Sequence, residues 1–521
     1  MEPKSPSKAK LPISGFFHHF RVIKLGIAIV VVLLLISIGY YLIHNPIFPT
    51  NTSYFTVVID CGSSGTRVNV YEWMSKDGDI TNQNPELPIL LHSYPNNSTK
   101  IHDRNDGCAY HCMQTEPGLD KFVRNASGVR ASLEPLIRRA EKWVPYERHK
   151  STPIFVLATA GLRRLGKEIA NGVLNDVEAV VKLHKFKYRK DWIRVLSGRE
   201  EAYYGWIALN YHMSVLKNPS RLPTLGLLDL GGSSLQVATE IKDPTPDFFR
   251  SKIGSFEYQI LADSLPSFGL NEAFDRTVVM LSHSHALREG DLGIFEIGHP
   301  CLGHGFIQNY TCYGCFENKT SSLYLVGKPN WEKCKGVAKA AAINSSSSYH
   351  CDEKTINLIG GSQSVARFHA LSGFFAVYNL LNLKESSNMS KIWEKGEELC
   401  SRSLTGLTNT VMKQKYADFF CFRVPYMVSL IENVLCVGDK DILFGPGDVS
   451  WTLGAALVEG NDTSRDKSLI VYFNLKRVML SPYLVFVILV ILLFVVYRSQ
   501  IKLPMLGRKV TSFIGNKRSV T

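Results

Sequence analysis

The chain has 521 residues, enough for two or more ordinary domains, and 45% of them are apolar, which excludes a disordered or low-complexity protein. Its formal net charge of +13 at pH 7 invites a nucleic-acid reading. That reading fails once the charge is located. Lys4, Lys8, Lys10, Arg21 and Lys24 oppose only Glu2 before residue 25, and Arg498, Lys502, Arg508, Lys509, Lys517 and Arg518 stand unopposed after residue 497.

In chain order, residues 1–24 form a basic tail and residues 25–43 an uncharged apolar run long enough to cross about 30 Å of hydrocarbon as a helix. No small-residue cleavage site follows it, and Tyr40-Tyr41 has the look of an interfacial end, so the run reads as an anchor and not as a cleaved signal peptide. Residues 44–54 are a proline-containing stalk. A folded region is expected over 55–458, a polar linker over 459–477, a second membrane span over 478–497 and a second basic tail over 498–521. The positive-inside rule puts both tails in the cytoplasm and the region between the spans in a lumen or outside the cell. Glycosylation acceptors at Asn51, Asn96, Asn97, Asn125, Asn309, Asn318, Asn344, Asn388 and Asn461 all fall between the spans. Of the 11 cysteines, Cys61 is the odd one. Cys108/Cys112 and Cys312/Cys315 have spacings that also occur in zinc and redox sites, but an oxidising compartment favours structural disulfides, with connectivity left open.

The folded region opens on Val57-Val-Ile-Asp60-Cys-Gly-Ser63-Ser64-Gly65-Thr66-Arg-Val-Asn-Val-Tyr71, read as strand, tight polar turn and strand. Glycines let backbone N–H groups approach an anion, hydroxyls add donors, and Asp60 beside them can hold a divalent metal through water. Residues 75–106 read as strands broken by loops, and 128–144 as a helix with Leu133, Leu136, Ile137 and Ala140 on one face. A buried strand follows over 153–161, ending in small residues around Thr159 where a ligand can approach the backbone. Ile193-Arg-Val-Leu-Ser-Gly leads from a strand into a helix carrying Glu200 and Glu201. Such a pair is commonly a dipole-matched cap, but at the mouth of a phosphate site one member can take a proton from water.

The opening pattern then returns. Leu225-Gly-Leu-Leu-Asp229-Leu-Gly231-Gly232-Ser233-Ser234-Leu-Gln236 repeats apolar strand, aspartate, glycines and serines in the same order. Two such loops facing each other suit a phosphate compound gripped from both sides, with Asp60 and Asp229 toward one metal and Gln236 placed to hold a water. Residues 241–355 read as an insertion of short strands with a helix opening near Phe268. Phe368 to Tyr378 reads as the start of another helix, and Trp451-Thr-Leu-Gly454 closes the region.

These segments together resemble the apyrase family of nucleoside triphosphate diphosphohydrolases, including its plant-type membrane branch, over about residues 55–458. The resemblance rests on Ile59 to Arg67, Ala158 to Arg163, Ser197 to Trp206, Leu228 to Gln236 and Trp451 to Gly454, in the family's order. It implies an α/β fold of two actin-like, ribonuclease-H-like lobes with the active site in the cleft between them. It further implies hydrolysis of the terminal phosphates of nucleoside tri- and diphosphates with Ca²⁺ or Mg²⁺. Matched position by position, Glu201 is the base, and Ser234 and Gln236 position the water. Asp60 and Asp229 organise the metal through its waters, while Ser63, Ser64, Gly65, Thr66, Thr159, Gly231, Gly232 and Ser233 hold phosphate. Phe374, Phe375 and Tyr378 are candidates for stacking on a base. Cys61 stands where the family has a small apolar residue, which exposes the site to oxidation. Ala202 stands where it often has glycine, and the family's cysteine near Phe268 is missing. Another actin-like phosphotransferase and a non-catalytic nucleotide-binding ectodomain are the alternatives. Phosphate release without an acceptor separates the first, and the filled acid, hydroxyl and amide positions weigh against the second. The spans allow packing with another subunit, and Golgi and plasma membrane share this topology.

Overall fold

The structure, a computed structural model, describes residues 53–74, 87–95, 113–217, 222–242, 248–253, 256–283, 287–289, 295–316, 319–343, 365–383, 388–401, 419–435, 437 and 442–464, with Val32. The two tails, the expected spans apart from Val32, residues 44–52 of the stalk, and the linker beyond Ser464 lie outside the described residues. Among those described, no helix is long and apolar enough to cross a membrane.

Strands β1 (Ser53–Cys61), β2 (Thr66–Met74), β3 (Ile89–Tyr94), β4 (Gln114–Thr115), β5 (Ile154–Ala158) and β6 (Ile193–Val195) form the first sheet, in the order β3-β2-β1-β5-β6 with β4 on β2. A second sheet begins with β7 (Thr224–Leu230), β8 (Ser234–Glu240), β9 (Phe249–Ile253) and β10 (Phe256–Pro266). The chain then forms a separate sheet from β11 (Leu287–Glu289), β12 (Phe295–His299), β13 (Ile307–Phe316) and β14 (Lys319–Gly327). It returns with β15 (Val365–Ser372) and β16 (Ile442–Phe444) to give the order β16-β15-β7-β8-β10-β9.

The two main sheets share one plan. In the first, β3, β2 and β1 are antiparallel and β1, β5 and β6 parallel. In the second, β10, β8 and β7 are antiparallel and β7, β15 and β16 parallel. The repeated sequence pattern is therefore a repeated half-fold, with the Asp-Gly-Ser turn at the β1–β2 corner in one half and at the β7–β8 corner in the other. The fold is mixed α/β.

Burial on both faces explains why the centre of β1, Val57-Val58-Ile59, is apolar without alternation. Val57 and Ile59 face an outer core shared with α1 (Ala126–Trp143) and α2 (Lys167–Val181). Val58 faces the layer between the sheets, filled by α3 (Gly198–His212). Helices α4 (Leu270–His283), α5 (Trp331–Ile343), α6 (Gly373–Leu380) and α7 (Phe420–Leu430) cover the outer face of the second sheet, and α8 (Trp451–Ser464) joins α3 in the middle layer. The disulfides Cys301–Cys334 and Cys400–Cys421 bind α5 and α7 to neighbouring segments, as the compartment argument expects.

Three expectations are corrected. Phe368 to Ser372 is strand β15, paired on both sides, and the helix starts only at Gly373; an apolar run of that length does not distinguish the two. Phe374 and Tyr378 belong to the core, Tyr378 stacked on Phe444 with centroids 4.2 Å apart, and the Phe375 ring fills the space above Gly445 and Gly447. Phe374 and Tyr378 are therefore packing residues and not a platform for a base. The 241–355 segment is not one insertion, because β9 and β10 complete the second sheet.

Candidate active site

Each turn is closed by its own backbone. Gly62 N–H donates to Gly65 O at 3.1 Å, and Gly231 N–H to Ser234 O at 2.9 Å. The two turns meet: a Cβ on Gly232 would lie 2.8 Å from Ser64 Oγ and 3.0 Å from Ser63 Oγ, so glycine is what permits the approach. Asn271, in the first turn of α4, donates to Ser64 Oγ at 3.2 Å across the same gap. Gly65 and Thr66 lie against β4, Thr66 paired with Thr115. Thr159 is buried at the end of β5, its N–H bonded to Cys61 O at 3.2 Å.

The cross-strand partner of each aspartate differs. Asp60 pairs with Arg67, whose guanidinium reaches Asp60 Oδ2 at 3.4 Å, while Asp60 Oδ1 is buried without a partner. Asp229 pairs with Gln236. The Gln236 amide donates to Ser234 Oγ at 2.6 Å and to Ser264 Oγ of β10 at 3.2 Å. Asp229 is hydrogen-bonded by Ser372, which holds a left-handed φ of 52° at the end of β15.

Glu200 and Glu201 separate sharply. Ser197 and Glu200 form a capping box at the start of α3, each satisfying the other's backbone N–H. Burial opposes ionisation of Glu200, but hydrogen bonds from Ser197 and Arg194 hold its carboxyl below the usual range. Glu201 turns inward and is buried. Its Oε2 accepts from Arg163 Nη2 at 3.3 Å and Nη1 at 3.4 Å, and Arg163 Nη1 is itself fixed on Leu196 O at 2.8 Å.

Burial pushes the Glu201 carboxyl up to about 8, against the opposing charge of Arg163 and with the help of Asp60 and Asp229. Burial likewise raises Asp60 to about 6, with Arg67 opposing and Asp229 adding, and it raises Asp229. The buried Asp60 and Glu201 and the half-buried Asp229 thus lie near one another at the meeting of two glycine-serine turns, the charge of Asp229 raising both of the others. Such a concentration of acid is costly in a bare chain, a cost that a bound cation would offset. Among the described residues no group of three or more His, Cys, Asp or Glu is placed to ligate a metal directly. Two carboxylates, one with an orphaned oxygen, fit a hydrated Ca²⁺ or Mg²⁺ held largely through water.

The Cys61 side chain alternates away from this site into the outer core, and burial raises its thiol well above the ordinary value. It is therefore shielded from oxidation, contrary to the sequence expectation. Arg163, Arg67, Ser264 and Ser372 carried no signal of their own in the sequence. Arg163 follows directly on the small-residue stretch after β5, but its approach to Glu201 needs β5, β6 and α3 assembled.

A family model described as the GDA1/CD39 (nucleoside phosphatase) family matches residues 47–472. Among curated proteins, the chain is 38% identical over 457 residues to "Probable apyrase 7" of Arabidopsis thaliana. That match covers 83% of this chain and 61% of the relative, so the chain spans about three fifths of its length. It is 26% identical over 489 residues to "Ectonucleoside triphosphate diphosphohydrolase 3" of Homo sapiens, covering 86% of each. Among solved structures, a nucleoside triphosphate hydrolase from Neospora caninum superposes with a TM-score of 0.53 at 15% identity, over 78% of this chain and 92% of that one, a likeness of fold.

Proposed function

The chain belongs to the GDA1/CD39 nucleoside phosphatase family, and from that premise we propose that it hydrolyses the terminal phosphate of nucleoside tri- and diphosphates, down to the monophosphate. The observation that carries the proposal is the buried Glu201 carboxyl, sharing a charge field with Asp60 and Asp229 where the two turns meet. The duplicated strand plan supports the reading of two actin-like, ribonuclease-H-like lobes with the site between them.

In this reading the scissile phosphate lies between the turns, met by the N–H and hydroxyl groups of Ser63, Ser64, Gly65, Thr66, Thr159, Gly231, Gly232 and Ser233. Phosphoryl transfer calls chiefly for positioning and charge neutralisation. Glu201 takes the proton of the attacking water. Both N–H groups of the Gln236 amide are engaged by Ser234 and Ser264, so its carbonyl oxygen is the acceptor that orients this water. Arg163 holds Glu201 in place and favours its ionised form. Asp60 and Asp229 are the residues that would hold Ca²⁺ or Mg²⁺ through its waters, and the bound ion would supply charge neutralisation at the phosphate and beside Glu201.

The topology belongs to the same proposal: two membrane spans, both termini cytoplasmic, and a glycosylated catalytic region in a Golgi or endomembrane lumen or at the cell exterior. Assay of phosphate release from a nucleotide panel with Ca²⁺, Mg²⁺ or chelator tests the activity. Glu201→Gln is expected to lower release at least about 100-fold while nucleotide still binds. Turnover near that of the unaltered chain would remove Glu201 from the role.

A further inference from the structure

A cavity of 510 Å³ opens where the turns meet, with Ser63 of one and Ser233 of the other in its wall. That volume is ordinary for a small-molecule site. Lys121, Arg164 and Arg276 line it, against Glu272 and Asp275. Arg164 spans the two halves. It follows the one-turn helix Ala160–Arg163 of the first half, yet its guanidinium pairs with Glu272 of α4 in the second and lies 3.8 Å from Asp120 Oδ2. Glu272 also accepts from Ser233 Oγ at 3.4 Å.

Asp120 draws Lys121 to 3.2 Å and packs beneath the first turn, where a Cβ on Gly118 would strike both Asp120 and Ser63 and one on Gly161 would crowd them. Arg276 is fixed by the carbonyls of Ser267 and Ala341, each at 3.0 Å. The cations are thus anchored at the rim of the turns, and Arg164, 43% exposed, faces solvent.

We infer, resting on the nucleotide-hydrolase reading, that this cavity receives the phosphates between the nucleoside and the scissile group. In the same step Arg164 acts as a specificity-determining residue, exchanging Glu272 for those phosphates. A terminal phosphate seated between the turns leaves the rest of the substrate to pass Ser63 and Ser233, which is where the cavity lies. The planar guanidinium matches two phosphate oxygens at once, and a phosphate chain carries more charge than one carboxylate. Glu272 holds Arg164 in place in the empty site and competes with the substrate for it. A triphosphate brings two such phosphates and a diphosphate one, so Arg164 favours the triphosphate.

The test is calorimetric titration of the full-length chain with a non-hydrolysable nucleoside triphosphate analogue and Mg²⁺, then with the corresponding diphosphate analogue. Arg164→Ala should weaken the triphosphate analogue at least roughly tenfold, the scale of one charged hydrogen-bonding pair, and the diphosphate analogue less. Glu272→Gln should tighten the triphosphate analogue, Arg164→Lys should fall between the unaltered chain and Arg164→Ala, and the double variant should follow Arg164→Ala. A bridge that is merely structural weakens binding in Glu272→Gln as well, and that result overturns the inference. So does Arg164→Ala binding within about twofold of the unaltered chain. Circular dichroism of each variant separates lost fold from lost contact, and Glu272→Gln decides the matter if Arg164→Ala misfolds. Phosphate release with none of this pattern removes the inference alone, whereas the pattern without release from natural nucleotides removes the hydrolase reading.

Discussion

Glu200 and Glu201 are adjacent in the chain and opposite in environment, because one residue of α-helix turns a side chain by about 100°. Glu200 closes the helix end in solvent reach, while Glu201 enters the packed middle layer with Arg163 as its counter-charge. The inward position has a pH signature. The folded chain holds the Glu201 proton up to about 8, against an ordinary value of 4.5, so the folded state binds that proton more tightly than the unfolded state does. Its contribution to stability is fully present below pH 4.5 and is lost as pH rises toward 8. In chelator, the melting temperature of Glu201→Gln relative to the unaltered chain should therefore climb across that window, and Ca²⁺ or Mg²⁺ should flatten the climb. A difference that stays constant with pH would mean that Glu201 is not strained by its surroundings.

At the scale of elements, the site depends on how closely α8 crosses α3. A Cβ on Gly454 would lie 2.0 Å from Tyr204 O, inside any permitted contact. The crossing is locked further along by Glu459 of α8, which accepts from Tyr204 Oη at 2.5 Å and from Arg194 Nη2 at 3.1 Å; Arg194 in turn holds Glu200 at 2.7 Å. The closing helix therefore supports the helix that carries Glu201. Gly454→Ala should lower unfolding free energy by about 1–3 kcal/mol, the usual cost of overpacking, and reduce turnover with it. Denaturant titration checks this, and an unchanged midpoint would refute the close crossing.

For the whole molecule, the helical layer on the second sheet is held by disulfides in addition to a deeply buried core. Cys334 of α5 pairs with Cys301, Cys421 of α7 pairs with Cys400, and the loops they close span 33 and 21 residues. Replacing Cys301 and Cys334 together by serine should cost roughly 3 kcal/mol, read as a drop in unfolding free energy. An unaltered transition would show that the bridge does not form in the native chain. The proposed topology makes a separate prediction. Asparagine-linked glycans should be removable from the middle region, and protease added to sealed vesicles of lumenal orientation should trim only the basic tails. Cleavage of the middle region in such vesicles would reverse the assigned orientation.

Much of this was legible in residue order. Strand-turn-strand segments declare themselves because alternation and glycine-serine turns are local properties, and the duplicated Asp-Gly-Ser pattern announced the duplicated half-fold before any strand was paired. The family segments singled out Glu201 over Glu200. What required the assembled chain was every relation between distant segments: that Gly232 touches Ser64, that Arg163 serves Glu201, that Ser372 reaches Asp229 and that Arg164 meets Glu272. Phe368 to Tyr378 divides into strand and helix for the same reason, since which of the two an apolar run becomes depends on what covers it. Cys61 shows the rule in one residue. Its place beside Asp60 suggested a reactive thiol, but the pleat of β1 turns it to the opposite face, into the core, where burial keeps it protonated.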